Sequence, residues 1–207
     1  MKPEKESGSG RYHHGDLRSA LIAAAEEELA EKGIEGFTLR GCAKRAGVSH
    51  AAPAHHFGDA TGLLTALAAA GFRRFLDMQV AYQAQAQPSP REQMLASGLG
   101  YIAFAREYPS LFRLIFSSDR PDYAVAELQQ AAGTAYNHML AGVRALVGPD
   151  ASDEQLMIDV AATWAMVHGV ADLVNSGKLS SLEALPEEAR RPALISIIER
   201  VLPPPEA

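Results

Sequence analysis

The sequence contains few of the residues that form cross-links or bind metals. It has one cysteine, Cys42, among 207 residues, which excludes a disulfide within the chain. Five of its seven histidines fall early in the chain: His13, His14, His50, His55 and His56. Their spacing matches no usual zinc pattern, and no second cysteine accompanies them. We therefore expect no metal site and no cofactor, and a buried, unreactive Cys42.

The sequence also lacks β-strand patterning and long apolar runs. No stretch keeps the alternation of apolar and polar residues that a strand requires. The most apolar helical segment lies between Asp159 and Asp172, which is too short to cross a bilayer. Residues 1–10 are polar and rich in Gly and Ser, so we expect a disordered arm rather than a signal peptide. These features favour a cytoplasmic protein with no membrane partner.

Charge is unevenly distributed along the chain. The net charge is −6, but residues 1–74 carry ten Lys and Arg against nine Asp and Glu, whereas residues 75–207 carry nine against sixteen. Within the first part, a cluster of glutamates is flanked by five basic residues: Arg11, Arg18, Arg40, Lys44 and Arg45. This distribution allows a short basic surface on a nearly neutral N-terminal part, as a nucleic-acid partner would require.

Helical periodicity extends over most of the chain and predicts an all-α protein of about nine helices. In the N-terminal part, Asp16 is expected to cap a first helix that Gly33 ends, and Thr38 a second helix over about 39–46. Ser49 is expected to cap a third helix over about 50–56, and Asp59 a fourth that runs to about residue 85. The third helix would hold Pro53 at its fourth position, at the cost of one hydrogen bond.

Two prolines in the stretch 87–90 mark the main break in composition. Beyond it we expect helices over about 91–107, 110–117 and 123–146, with Pro109 ending the first of these. Ser152 would cap an eighth helix that ends near Ser176. A ninth helix starts after Pro186 and Pro192 and has a broad apolar face.

The most informative segment is 38–49, which reads as two short helices joined by a tight turn. Gly47 can adopt the left-handed conformation that such a turn needs, and Ala43 and Ala46 are small enough for the two helices to approach each other closely. Val48 would fill the corner between them. This spacing predicts a helix-turn-helix whose second helix enters a DNA major groove, although an ordinary helical hairpin with no partner has the same pattern.

Residues 18–57 resemble the DNA-binding domain of the tetracycline-repressor (TetR) family. The resemblance rests on the Thr cap, the small-residue helix, the Ala-Gly-Val-Ser turn at 46–49 and the His-Phe pair at 56–57. Residues 12–18, Ala52-Pro53 and the Trp164-x-x-x-His168-Gly169 pattern are similar to one subgroup of that family. The resemblance to the family implies a DNA-binding domain over 11–58, a connecting helix over 59–86 and a ligand-binding and dimerisation domain over 87–207.

The resemblance also implies a DNA-contacting surface, made by these residues: Arg11, Arg18, Thr38, Arg40, Lys44, Ser49, His50, Ala51, Ala54, His55 and His56. The chain departs from the family at two of its positions. Ala54 stands where Tyr is usual and Ala60 where Lys is usual, so two phosphate contacts are lost. Ala51 and Ala54 can still contact a thymine methyl group.

The C-terminal half contains candidates for a ligand cavity and a dimer interface. Trp164 and His168 lie four residues apart on one helix face, and the other apolar candidates for the cavity are Tyr101, Phe104, Phe112, Phe116, Tyr136 and Met139. Each of them is equally consistent with an ordinary core. The small-residue stripe Ala161, Ala165 and Gly169, with Leu194 and Ile198 of the last helix, suits pairing with a second copy. Packing within one chain would explain these five residues as well.

The sequence therefore favours a homodimeric repressor that binds operator DNA and is released by a small-molecule effector. One alternative is a helical protein that binds small molecules and whose DNA-binding domain has weakened, consistent with Ala54 and Ala60. A second alternative is a metal-dependent helical hydrolase that uses the early histidines. No pairing of a nucleophile with a base is visible, so we expect no catalytic residue and no enzyme activity.

Overall fold

The computed structural model of the chain describes residues 14–202, with side chains from Leu17 onward. Within this range there are ten α-helices and no strand, which confirms the all-α prediction with one helix more than expected. The helices are α1 His14–Lys32, α2 Leu39–Arg45, α3 Ala52–Phe57, α4 Ala60–Gln83, α5 Pro90–Glu107, α6 Pro109–Phe116, α7 Ala126–Val147, α8 Asp153–Asn175, α9 Ser180–Glu183 and α10 Glu187–Glu199. The chain divides into two compact units, and the boundary between Leu63 and Leu64 falls within α4.

The N-terminal unit is built from short helices with well-defined ends. The Thr38 side chain caps α2 by accepting a hydrogen bond from the Gly41 N–H at 3.0 Å. At the other end, Gly47 has φ +67°, and the Val48 and Gly47 N–H groups donate to the carbonyls of Ala43 and Lys44. This pair of bonds is a Schellman motif, which turns the chain sharply after α2. The predicted cap at Thr38 and the predicted turn at Gly47 are both confirmed.

The start of α3 differs from the prediction. Ser49 does not cap it: the N-cap residue is Ala51, without a side-chain hydrogen bond, and the Ala52 N–H donates to the Ser49 carbonyl at 3.0 Å in a separate turn. The helix begins at Ala52, two residues later than expected. Pro53 therefore lies in the first turn and not at the fourth position, so its missing N–H costs no helical hydrogen bond.

The C-terminal unit is organised around α5, which packs against α6, α7, α8 and α10. Nearly every residue of α5 from Met94 to Ala105 is buried. A Cβ atom at Gly98 would lie 3.0 Å from the Ile198 side chain and 3.5 Å from that of Val167. The absence of a side chain at Gly98 thus allows α8 and α10 to close against the middle of α5.

The last helix corrects one part of the dimer prediction. Leu194 and Ile198 of α10 are 5% and 1% exposed within a single chain, so they belong to the core and are not available to a second copy. Pro192 lies inside α10 and does not precede it, and Pro109 is the first residue of α6 rather than a terminator. The four-residue α9 was not predicted.

Helix α8 has the bounds that the sequence predicts, since Ser152 caps it and Ser176 follows its last residue. The apolar segment between Asp159 and Asp172 is only the middle of this helix of 23 residues. Among the described helices, α8 alone has the length and apolar composition of a membrane span, and 28% of its apolar window is buried. One such helix is weak evidence for a membrane, because an apolar helix covered by protein has the same composition.

Candidate functional sites

A buried carboxylate holds the two ends of α2 in the N-terminal unit. Glu28 of α1 is 5% exposed, and its carboxylate accepts from Arg45 Nε at 2.8 Å and from the Thr38 hydroxyl at 3.3 Å. Thr38 precedes α2 and Arg45 ends it. Arg45 also pairs with Glu31. Because charged hydrogen bonds are stronger than neutral ones, this cluster, which we call the Glu28 cluster, fixes α2 on α1.

The Glu28 cluster changes which cations are free to meet DNA. The Arg45 guanidinium is occupied by carboxylates, so it does not contribute to the basic surface that the sequence suggested. Arg40 and Lys44 of α2 are exposed. Gly41 leaves the space that the carboxylate fills, since a Cβ atom there would lie 1.9 Å from Glu28 Oε1. The arrangement therefore turns Arg40 and Lys44 to solvent.

Most of the residues expected to read DNA from α3 and from the turn before it are accessible. Ser49, His50, Ala51, Ala54 and His55 are exposed. The remaining candidates of this surface are less free or lie elsewhere. His56 is half-buried, the Arg18 guanidinium lies 5.5 Å from the centre of the Phe57 ring, and Arg11 lies outside the described residues.

Cys42 lies on the inner side of α2. It is fully buried, and burial, with a smaller contribution from the Glu28 charge, raises the pKa of its thiol to about 11. A thiol with so high a pKa stays protonated and unreactive near neutral pH. This agrees with the expectation that Cys42 is a core residue.

The second candidate site is a cavity of about 470 Å³ in the C-terminal unit. Its lining residues are Phe72, Phe75, Gln79, Tyr101, Ile115, Phe116, Tyr123, Ala132, Gly133, Ala135, Tyr136, Met139 and Trp164. Tyr123, Tyr136 and Trp164 are 41%, 36% and 40% exposed, so the cavity opens to the surface beside them. Its volume lies within the usual range for small-molecule sites.

Five of the eight residues predicted for a ligand pocket line this cavity: Tyr101, Phe116, Tyr136, Met139 and Trp164. Phe104 and Phe112 do not; they are 0% and 1% exposed and fill the core behind it. His168 is not a lining residue either. It stacks on Phe112, with ring centres 5.4 Å apart, and contacts the cavity lining through Tyr101 and Phe116.

Three side chains form a hydrogen-bonded series at the cavity wall. Trp164 Nε1 donates to the Tyr101 hydroxyl at 3.4 Å, and that hydroxyl lies 2.8 Å from His168 Nδ1. Burial lowers the pKa of His168, with Asp172 opposing the shift, and burial raises the pKa of Tyr101. Both shifts favour the uncharged forms at neutral pH, so the bond between the Tyr101 hydroxyl and Nδ1 joins two neutral groups.

A second polar pair lies where α4 meets α5. Gln79 is 4% exposed and lines the cavity. Its Oε1 accepts from the Ser97 hydroxyl at 2.8 Å, and its Nε2 donates to the Phe75 carbonyl at 3.3 Å. Sequence reasoning missed Gln79, because a glutamine in a helix that also carries Gln83 and charged residues gives no sign that its amide is buried. It also missed the α4 wall at Phe72 and Phe75, because α4 was interpreted as a connecting helix.

Among the described residues, no group of three His, Cys, Asp or Glu side chains lies close enough to hold a metal ion. Of the early histidines that the sequence offered as an alternative metal site, His50 and His55 are exposed. The side chains of His13 and His14 lie outside the described residues.

Two family models match the chain, one after the other. The model for bacterial regulatory proteins of the tetR family matches residues 21–67, and the tetracyclin repressor-like C-terminal domain matches residues 94–194. The HTH-type transcriptional regulator BetI of Stenotrophomonas maltophilia is 37% identical over 79 residues. That match spans 38% of this chain and only about 40% of the length of the relative.

Solved structures extend the similarity over nearly the whole chain. A protein with unknown function from Rhodococcus sp. RHA1 is 30% identical, with a TM-score of 0.75 over 94% of this chain and 100% of its own. A TetR-like transcriptional regulator from the same organism shares the fold at 17% identity, with a TM-score of 0.64 over 92% of this chain and 97% of its own. The N-terminal and C-terminal models of one family thus match in order, and the chain belongs to the tetR family of bacterial regulatory proteins.

Proposed function

We propose that the chain is a homodimeric repressor that binds operator DNA in the cytoplasm and leaves it when a small molecule enters the cavity of the C-terminal unit. The observation that supports this most directly is that one chain contains both parts. The N-terminal unit has a helix-turn-helix with an exposed outer surface, and the C-terminal unit has an aromatic cavity open to solvent.

DNA binding is proposed to divide between two kinds of contact. Arg40 and Lys44 are exposed cations suited to phosphate, which gives affinity without sequence preference. His50 and His55 can bond to base edges, and the methyl groups of Ala51 and Ala54 can pack against thymine. Few cations are free on this surface, so binding is expected to depend on each of them.

The DNA-binding half is tested by fluorescence anisotropy with the DNA that flanks the chain's own gene, over a series of salt concentrations. Arg40→Ala and Lys44→Ala should each weaken binding to every sequence and reduce the salt slope by about one. Lys178→Ala, which removes an exposed cation from the C-terminal unit, is the matched control and should leave the slope as it is. An unchanged slope for both N-terminal variants would place the DNA surface elsewhere.

The second candidate function is a small-molecule-binding protein with a weakened DNA-binding domain. It is favoured by Ala54, which is exposed on α3 where a DNA contact would be made, and by the absence of any Lys or Arg from α3. If the two contacts are simply missing, Ala54→Tyr and Ala60→Lys should each strengthen operator binding by roughly 1 kcal/mol. A wild-type chain that binds ligands but no flanking DNA would establish the alternative.

Dimerisation is proposed to use the exposed side of α8. Ala161 and Ala165 are exposed there, a Cβ atom at Gly169 would meet nothing within 4 Å, and Ile158 is 54% exposed. Ala165→Trp should force a packed partner helix away, since overpacking costs roughly 1–3 kcal/mol, and light scattering should then report a monomer. Ala145→Trp on exposed α7 is the control. A dimer that survives Ala165→Trp with full stability would contradict this interface.

Release by ligand is proposed to act through α8, because this helix contributes Trp164 to the cavity and the small-residue stripe to its exposed side. Ligand and DNA must then weaken each other's binding equally, typically by about 1–3 kcal/mol. Trp164→Ala and His168→Ala should keep DNA binding but reduce release by ligand. A compound that binds the cavity and leaves the DNA affinity unchanged would remove the sensing half of the proposal.

A further inference from the structure

The composition of the cavity wall restricts the charge of its ligand. None of the thirteen lining residues is Asp, Glu, Lys or Arg, and seven are aromatic. An ion placed there would lose much of its water and find no opposite charge to replace it. Aromatic faces compensate a cation in part and an anion hardly at all. The balance therefore favours an uncharged ligand.

One stretch of the cavity wall is formed by small residues. They are Ala132, Gly133 and Ala135 of α7, with Tyr136 and Met139 of the same helix beside them, and a Cβ atom at Gly133 would meet nothing within 4 Å. The other aromatic side chains of the lining belong to other parts of the chain. A planar ring can lie flat along this wall and still meet aromatic edges or faces, which adds about 0.5–1.5 kcal/mol to simple burial.

The lining also offers one buried hydrogen-bond donor. The carbonyl of Gln79 is used by Ser97, and the amide nitrogen donates to the Phe75 carbonyl at 3.3 Å. A primary amide has two N–H groups, so one remains for a ligand. Because the Phe75 carbonyl can only accept, the bond to it fixes which end of the side chain is the nitrogen. The group presented to the cavity is therefore a donor, and its match is an acceptor oxygen.

We infer that the cavity takes an uncharged, planar aromatic molecule with a carbonyl or similar acceptor oxygen, whose ring lies on the Gly133 wall and whose oxygen accepts from the Gln79 amide. This inference identifies the class of effector for the regulator proposed above and rests on that function for its biological role. The binding itself is independent of DNA.

The test is isothermal titration calorimetry of the full chain, without DNA, against five probes of nearly equal size. The reference probe is 2-acetylnaphthalene, a neutral aromatic ketone. The anion 2-naphthoate and the cation 2-naphthylmethylammonium should bind about a hundredfold more weakly. Removing the acceptor in 2-ethylnaphthalene should cost about tenfold, and removing aromaticity in 2-acetyldecalin about fivefold.

Two sets of variants locate the bound ketone. Gly133→Leu fills the proposed ring position and should weaken the ketone at least about tenfold, whereas Ala145→Leu adds the same side chain at an exposed position of α7 and should change nothing. Gln79→Met combined with Ser97→Ala removes both partners of the buried pair, which leaves no orphaned polar group. That double variant should bind 2-acetylnaphthalene and 2-ethylnaphthalene equally.

Several results would overturn the inference. No binding of the ketone at millimolar concentration, a charged probe that binds as tightly as the ketone, or equal affinity for the decalin would each exclude this ligand class. An unchanged affinity in Gly133→Leu would place the ketone outside the cavity. Failure of the proposed function is a different outcome: the ketone would bind as described and the anisotropy of the DNA complex would not change.

Discussion

The helices inside the N-terminal unit and those inside the C-terminal unit are held together by different kinds of contact. In the N-terminal unit, the Glu28 cluster joins α1 and α2 through a buried carboxylate that bonds to Thr38 and Arg45. In the C-terminal unit, the corresponding place is taken by aromatic rings. The ring centre of Phe75 lies 4.7 to 5.3 Å from those of Tyr101, Phe104 and Phe116, and a cavity of about 470 Å³ remains beside them.

The difference follows from what each unit is proposed to do. Charged hydrogen bonds depend strongly on distance and angle, so the Glu28 cluster allows α2 few alternative positions, as a surface that must match a DNA groove requires. Contacts between rings are individually weak and tolerate small displacements. An aromatic wall with empty space on one side can therefore adjust to a ligand, whereas the position of α2 is fixed.

The largest expected effect is that of Phe104→Ala in the C-terminal unit. Phe104 is fully buried, and truncation of such a ring costs about 3–5 kcal/mol of unfolding free energy. Phe116→Ala should cost about half as much, because the cavity already leaves one side of that ring without contacts. Urea unfolding of both variants measures the difference. Equal losses would mean that Phe116 is packed as tightly as the core.

The next effect concerns the space between Gly41 and Glu28. Gly41→Ala should displace the carboxylate from Arg45 and Thr38 and destabilise the chain by about 1–3 kcal/mol. In a Glu28→Ala background the same change should stabilise by about 0.5–1 kcal/mol, because alanine is the better helix former and nothing opposes it. Unfolding free energies of the four chains give the answer. The same sign in both backgrounds would show that the carboxylate does not fix α2.

A smaller loss of stability is expected at Thr38, which caps α2, and almost none at Ser49, which was expected to cap α3. Thr38→Ala should cost about 0.5–2 kcal/mol, since the Gly41 N–H loses its acceptor. Ser49→Ala should stay within about 0.5 kcal/mol, because Ser49 is exposed and caps no helix. Thr38→Ser, which keeps the hydroxyl, is the control for the first change. A loss at Ser49 as large as that at Thr38 would restore Ser49 as the cap of α3.

The smallest effect is a pH dependence confined to the C-terminal unit. Burial lowers the pKa of His168 below its ordinary value. As the pH falls below about 6.5 the unfolded chain takes up a proton that the folded chain refuses, so stability decreases until the folded pKa is reached. The loss between pH 7.5 and 5.5 should shrink in His168→Gln and persist in His55→Gln, where the side chain is exposed. An identical loss in all three chains would contradict this.

The Glu28 cluster shows which parts of the fold the sequence could predict and which it could not. Helical spacing placed Leu21, Ala24, Ala25 and Leu29 on one face, and Glu28 occupies the same face by that spacing. The sequence, however, shows Glu28 only as one member of a cluster of glutamates, and a carboxylate is rarely buried unless it is paired. The partner that allows its burial, Arg45, lies 17 residues away, and no local pattern connects them.

The limits in the C-terminal unit have a similar origin. Sequence patterns predicted where helices begin and end, but they did not show which aromatic residues of a helix line the cavity. Tyr101 and Phe104 are three residues apart on α5, and only Tyr101 lines the cavity. The apolar face of α10 suited a second copy as well as it suited the chain's own core. Gly98 leaves room for the Ile198 side chain, so the apolar face of α10 packs against α5 of the same chain. The two residues are far apart in sequence, and their contact is visible only in the tertiary structure.

Trp164 is the single tryptophan of the chain. Its indole lies in the cavity wall, is 40% exposed and donates to the Tyr101 hydroxyl. Indole emission responds to hydration and to hydrogen bonding of the ring nitrogen, and here every photon that tryptophan emits originates at one place. The protein therefore contains its own optical reporter, so that a molecule transparent at the excitation wavelength can be followed into the cavity without a label.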